Sequence, residues 1–166
     1  MKFFFKILII HTVCSFMLFA GEKQEGRFEM KGFYLGMEQA KVQALYEQLQ
    51  KDKMAEYVSL EREKYRDMIK LDNEFSSMGN KIDIEYDDDG LAKKITFQYK
   101  TVAILFDAGD LDAGGLVQKI EEEYHLPEME FEDMGMVKTW TYVNDKLNYK
   151  ISVDDVKNVR LQRMNK

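Results

Sequence analysis

Cysteine occurs once in the 166 residues, at Cys14, proline once, at Pro127, tryptophan once, at Trp140, and histidine only at His11 and His125. One cysteine cannot close an intrachain disulfide, so stability must come from an apolar core. Zinc sites built from His and Cys within one chain are excluded, because too few ligands exist. A Ser-His-acid triad would have to use His125, which stands beside Pro127 at the end of a predicted helix. A helix C-terminus suits a histidine for electrostatic reasons alone. Long basic runs are also missing, and the formal net charge is −6. That balance disfavours nucleic acid and anionic lipid as partners.

The first twenty residues, MKFFFKILIIHTVCSFMLFA, have the form of an export signal. Lys2 and Lys6 supply the positive start, Ile7 to Phe19 the apolar stretch, and Ala20 a small residue at the cleavage edge. The run is shorter than the roughly 20 residues of a spanning helix and carries His11. Cys14 does not read as a lipid-attachment site, because His11 and Val13 occupy the places where an aliphatic and a small residue belong. Residues 1–20 are therefore expected to be a signal peptide. Losing Lys2 and Lys6 would deepen the charge from −6 to −8 and leave no cysteine at all.

From Glu38 the pattern is helical, with Val42, Leu45, Tyr46 and Leu49 on one face. Residues 51–79 fit either a charged helix or strands, and strands around Tyr57–Glu61 and Tyr65–Leu71 are favoured by analogy with the second half. Ile82, Ile84 and Tyr86, then Ile95, Phe97 and Tyr99, alternate with polar residues as two strands, with Asp89-Gly90 as the turn. Val102–Phe106 reads as a short strand or lead-in segment. Asp112 is a candidate N-cap for a helix carrying Leu116, Val117, Ile120 and Tyr124, which Pro127 ends. Met129–Asp133, Val137–Val143, Leu147–Val153 and Val159–Met164 follow as strands. The expected fold class is α+β, a helix packed on an antiparallel β-meander, repeated twice in tandem. Residues 21–100 would form the first unit and 101–166 the second.

The stretch FYLGMEQAKVQAL, with Leu35, Gly36, Met37 and Val42 as its fixed points, resembles the opening of SmpA/OmlA-type outer-membrane lipoproteins and of the β-lactamase-inhibitor-protein-like fold. DDDGLAKKITF resembles the later hairpin of such modules. A lipobox and a Gly-x-Pro after the first helix are missing here. The resemblance implies a noncatalytic cell-envelope module that works through protein contacts.

Other candidate chemistry is weak on its residues. Glu85, Asp87, Asp89 and Gly90 imitate the start of a calcium loop, but Thr96 stands where the bidentate glutamate belongs. Glu121, Glu122, Glu123, Glu128, Glu130, Glu132 and Asp133 offer carboxylates for acid–base work, though an acidic protein places such residues on wet faces. Gly114-Gly115 lacks the Lys-Ser/Thr of a phosphate loop. Gly32 and Gly36 read as turns, with Phe33, Tyr34 and Leu35 inserted beneath the first helix.

The positive signal is aromatic. Trp140, Tyr142, Tyr149, Phe33 and Tyr34 are candidates for an interaction surface, with Met134, Met136 and Met164 as adaptable apolar neighbours. The expected function is an exported protein of the periplasm or cell envelope, or a secreted one, that binds another envelope protein without a cofactor or metal. Membrane contact would come only through an uncleaved N-terminal segment. The alternative is a carboxylate-dependent hydrolase.

Overall fold

The computed structural model describes residues 27–52, 54–72 and 78–164, so the expected signal peptide, Cys14, Ser76 and Ser77 lie outside the described residues. The chain is α+β. It runs β1 (Glu29–Met30), β2 (Phe33–Tyr34), α1 (Gln39–Lys51), then the strands β3 (Tyr57–Glu63), β4 (Arg66–Asp72), β5 (Lys81–Tyr86) and β6 (Ala92–Phe97). Two helices follow, α2 (Tyr99–Leu105) and α3 (Ala113–Tyr124), and then β7 (Glu130–Asp133), β8 (Lys138–Asn144), β9 (Tyr149–Asp154) and β10 (Val159–Arg163).

Eight strands make one antiparallel sheet in the order β3-β4-β5-β6-β10-β9-β8-β7. Its middle is the pair β6·β10, with Phe97 opposite Val159 and Ile95 opposite Leu161, all four fully buried. Period-2 alternation decides the faces. Ile69, Ile82, Ile84, Ile95, Phe97, Leu161, Val159, Ile151 and Val153 share the side covered by helices. There α1 lies over β3 and β4, α2 against β5 and α3 against β9. The opposite face is uncovered and polar, crossed by the ion pairs Glu61–Lys70, Arg66–Asp83 and Glu85–Lys94.

Strands were expected near Tyr57–Glu61 and Tyr65–Leu71, and β3 and β4 form there. Asp112 caps α3, its side chain accepting from Gly115 N at 2.7 Å. One element differs. Val102–Phe106 is not a strand, because Tyr99–Leu105 is helical with Val102 N donating to Gln98 O. A short apolar run carries no usable period, and here about two turns of helix suffice to bury Val102 and Phe106. The boundary expected between residues 100 and 101 falls inside this helix.

One buried charge sits on the covered face. Asp67 is inaccessible and accepts from Arg62 Nε and Nη2, both at 3.0 Å, and from the Tyr86 hydroxyl at 3.0 Å. Burial, and then the neighbouring Asp67, push the Tyr86 phenol well above its ordinary value, so it remains a donor. Arg62 also donates to Gln39 O, tying the start of α1 to the sheet.

The segment ahead of α1 turns twice. Lys31 and Gly32 join β1 to β2 with φ of 51° and 84°, as a two-residue hairpin requires. Gly36 follows at φ +83°, its N–H donating to Ala92 O at 2.7 Å, which seats the turn against β6.

Two stability measurements check this account. Gly36→Val should cost about 1–3 kcal/mol in urea unfolding through backbone strain, since the nearest atom to an added Cβ is 3.8 Å away. Gly109→Ala, at ordinary φ and in open space, should stay within about 0.5 kcal/mol. Asp67→Ala should cost about 1–3 kcal/mol, chiefly from the orphaned Tyr86 hydroxyl, because Arg62 is half exposed and regains water. Adding Tyr86→Phe to that variant should then cost less than the same change in the parent.

Candidate functional site

Trp140 and Tyr142 share the covered face of β8, as their spacing requires, opposite Val153 and Ile151. Both are half-buried and pack on the margin of the core. Tyr149 is 5% exposed and Phe33 1%, so these two belong to the interior and offer no surface. Phe33 meets Phe97 edge-on at 5.5 Å, and Phe97 meets Phe106 in the same way. Tyr34 is half-buried beneath the Arg27 guanidinium, which lies 3.4 Å from its ring centre. Of the fold-motif residues, Met37 and Val42 are buried, while Leu35 is half-buried against the core.

What the structure brings together is an aromatic series running outward from that core. Tyr124 packs on Phe28 at 5.5 Å, Phe28 on Tyr149 at 5.1 Å, and Tyr149 on Tyr142 at 6.2 Å. Burial pushes the phenols of Tyr124 and Tyr149 upward, so both stay neutral. Tyr142 is held by Asn144, whose Nδ2 donates to its hydroxyl at 3.2 Å. Further out on β8, Trp140 packs against Phe131 of β7 at 5.0 Å.

Phe131 was not among the expected surface residues, yet it completes the corner. It stands directly opposite Trp140 and is 54% exposed. The hairpin tip beyond it exposes Met134 at 64%, Met136 at 95% and Val137 at 45%. Gly135, at φ +82°, allows the tip to turn, and its N–H donates to Asp133 Oδ1 at 2.8 Å. Exposed large apolar side chains gathered on one corner are the feature that distinguishes a contact surface from scattered surface hydrophobics. The expected Met134 and Met136 lie in this corner, whereas Met164 sits at the far end of β10, its N–H donating to Asn148 O.

The other candidates are occupied by structural work. Asp87 accepts from Leu91 N at 2.9 Å, from Asp89 N at 3.2 Å and from Arg163 Nη1 at 2.8 Å, while Glu85 pairs with Lys94. The imitation of a calcium loop is thus a hairpin turn tied to β10. Among the described residues no group of three or more His, Cys, Asp or Glu converges to hold a metal ion. Glu121 accepts from Met129 N at 2.6 Å, and Glu123 pairs with Lys31. Glu122, Glu128, Glu130, Glu132 and Asp133 are exposed. His125 is the left-handed residue that ends α3, at φ 53°. A cleft of about 110 Å³ between Arg27, Phe28, Leu35, Leu147, Tyr149 and Leu161 has no carboxylate in its walls. It is smaller than the roughly 300–1,000 Å³ of small-molecule sites.

Comparison with protein families, with curated proteins and with solved structures finds no match to this chain.

The Asp87 contacts set a pH dependence. The Leu91 N–H, and after it Arg163, hold the carboxyl below its ordinary value against the opposing effect of partial burial. A carboxyl depressed in the fold stabilises above its unfolded pKa of about 4 and loses that contribution as pH falls below it. Asp87→Asn should therefore lower stability at pH 7 and flatten the decline between pH 5 and pH 2, measured by urea midpoints across that range.

Proposed function

We propose that this chain is an exported cell-envelope protein that acts as a noncatalytic interaction module, docking through the β7–β8 corner onto another envelope protein. The observation that carries the reading is the exposed cluster of Phe131, Met134, Met136 and Val137 beside the half-buried Trp140. Trp140 contributes a rigid anchor braced from behind by the core, and the methionines contribute side chains that adapt to an opposing surface. Together they have the makings of a hot spot with a flexible rim.

The form of residues 1–20 supports export, to the periplasm, the envelope or the exterior. Among the described residues no helix is long and apolar enough to cross a membrane. An acidic net charge disfavours nucleic acid. The same reading treats the two halves, α1 ahead of β3–β6 and α2 with α3 ahead of β7–β10, as a duplicated unit of the kind found in SmpA/OmlA-type and β-lactamase-inhibitor-protein-like modules.

Photo-crosslinking in the envelope tests it. A benzophenone amino acid at position 131 or 136 should give one shared adduct mass, and the same probe at the exposed Lys93 should not. Equal adducts at all three positions, or none at any, would remove the corner as a docking site.

A further inference from the structure

Among the described residues, the outer strand β7 has a free edge whose chemistry can be read residue by residue. Lys138 O accepts from Asp155 N at 3.0 Å, so it points towards β9 and away from β7. Met134 N donates to Val137 O at 3.0 Å across the tip. In an antiparallel ladder these two bonds make Asp133/Lys138 and Phe131/Trp140 non-hydrogen-bonded pairs. The N–H and C=O of Phe131 and Asp133 therefore point off the sheet into solvent. One step earlier the edge is closed, because Met129 is buried and its N–H is taken by Glu121. At the opposite edge of the sheet α1 intervenes, with Gln50 Nε2 donating to Val58 O at 3.2 Å. Charges of both signs, Glu61, Arg62 and Glu63, line that strand.

Side chains on β7 carry one sign only. Glu130 and Glu132 stand on the uncovered face, opposite Thr141 and Thr139, and all four residues of the strand are exposed. Glu128 precedes them, also exposed. Lys138, 3.9 Å from Asp133, is the cation beside them. Phe131 and Asp133 face the helix side, the Phe131 ring against Trp140 and half open. A symmetric pairing of β7 with a second copy would set glutamates against glutamates, which like-charge repulsion across strands opposes. A short acidic edge of this kind is also a guard against self-association, so what it admits must carry the opposite charge.

We propose that β7 is the edge onto which a partner protein adds an extended segment as a further antiparallel strand, with basic residues at alternate positions and apolar residues between them. The proposal rests on the interaction function above and names the partner's chemistry. Lysine or arginine on one face pairs with Glu130 and Glu132, and the intervening apolar residue covers Phe131 and Trp140. The partner's backbone exchanges hydrogen bonds with Phe131 and Asp133. Binding weakens with salt, because the paired charges are exposed.

Hydrogen exchange of the purified protein, followed by NMR, tests this with synthetic peptides. An alternating Lys-Val hexapeptide should slow exchange at the Phe131 and Asp133 amides by about tenfold or more at saturation. The alternating Glu-Val hexapeptide should not, nor should an alternating Lys-Pro hexapeptide, which keeps the charge but lacks the N–H at the positions opposite Phe131 and Asp133. Glu130→Lys/Glu132→Lys should abolish the protection, and Glu130→Gln/Glu132→Gln should weaken it, with both variants unchanged in circular dichroism. Shifts at β7 without slowed exchange at those two amides, or protection that survives charge reversal, would overturn strand addition. If the crosslink at position 131 persists in the charge-reversed variant, the corner still docks a protein and the basic strand is wrong. If the parent gives no crosslink there, the interaction reading itself fails.

Discussion

Val159 to Gln162 lie antiparallel to Phe97 to Lys94, and this short pairing turns two four-stranded meanders into one sheet. Every other pairing in the eight-stranded sheet joins neighbours within a meander. The side chains it brings together, Phe97, Ile95, Val159 and Leu161, are fully buried, so the seam between the two halves lies inside the core. A single continuous core follows, with α1, α2 and α3 all on the same side. The outermost hairpin takes its footing from that arrangement. Trp140 rests on Val153, Val153 on Val159 and Val159 on Phe97, one row of side chains from exposed corner to centre.

Smaller polar ties keep loops in register with this row. Arg163 reaches from the end of β10 to Asp87 in the β5–β6 turn, and the start of β6 just beyond it receives Gly36 N–H through Ala92 O. The segment before α1, the turn and the last strand are thus fastened to one another. Asp67 does comparable work at the start of α1, where two donors, Arg62 and Tyr86, neutralise the burial of a carboxylate.

Elements were legible in the sequence to the degree that one face was wet and the other dry. β5 alternates in burial at every residue and its alternation was plain, as was the buried stripe of α3. β3 is an edge strand, exposed or half-exposed throughout, and its letters resemble a charged helix for that reason. α2 is too short to show a period, and β1 and β2 are two residues each, set by the Lys31-Gly32 turn rather than by any pattern. At the site, the shared face of Trp140 and Tyr142 was readable from spacing. The partnership of Trp140 with Phe131 was not, because it depends on the β7–β8 register, which tertiary structure decides. Burial of Phe33 and Tyr149 likewise follows from what packs over them, Phe97 for one and Phe28 for the other.

The central place of β10 has a consequence for the order in which the molecule can assemble. The β6 edge at Lys94–Phe97 has no partner until Val159–Gln162 has been synthesised, so the apolar edge of the first meander stays open until then. Contacts so distant along the chain are slow to form, and an unclosed apolar strand edge is sticky in the meantime.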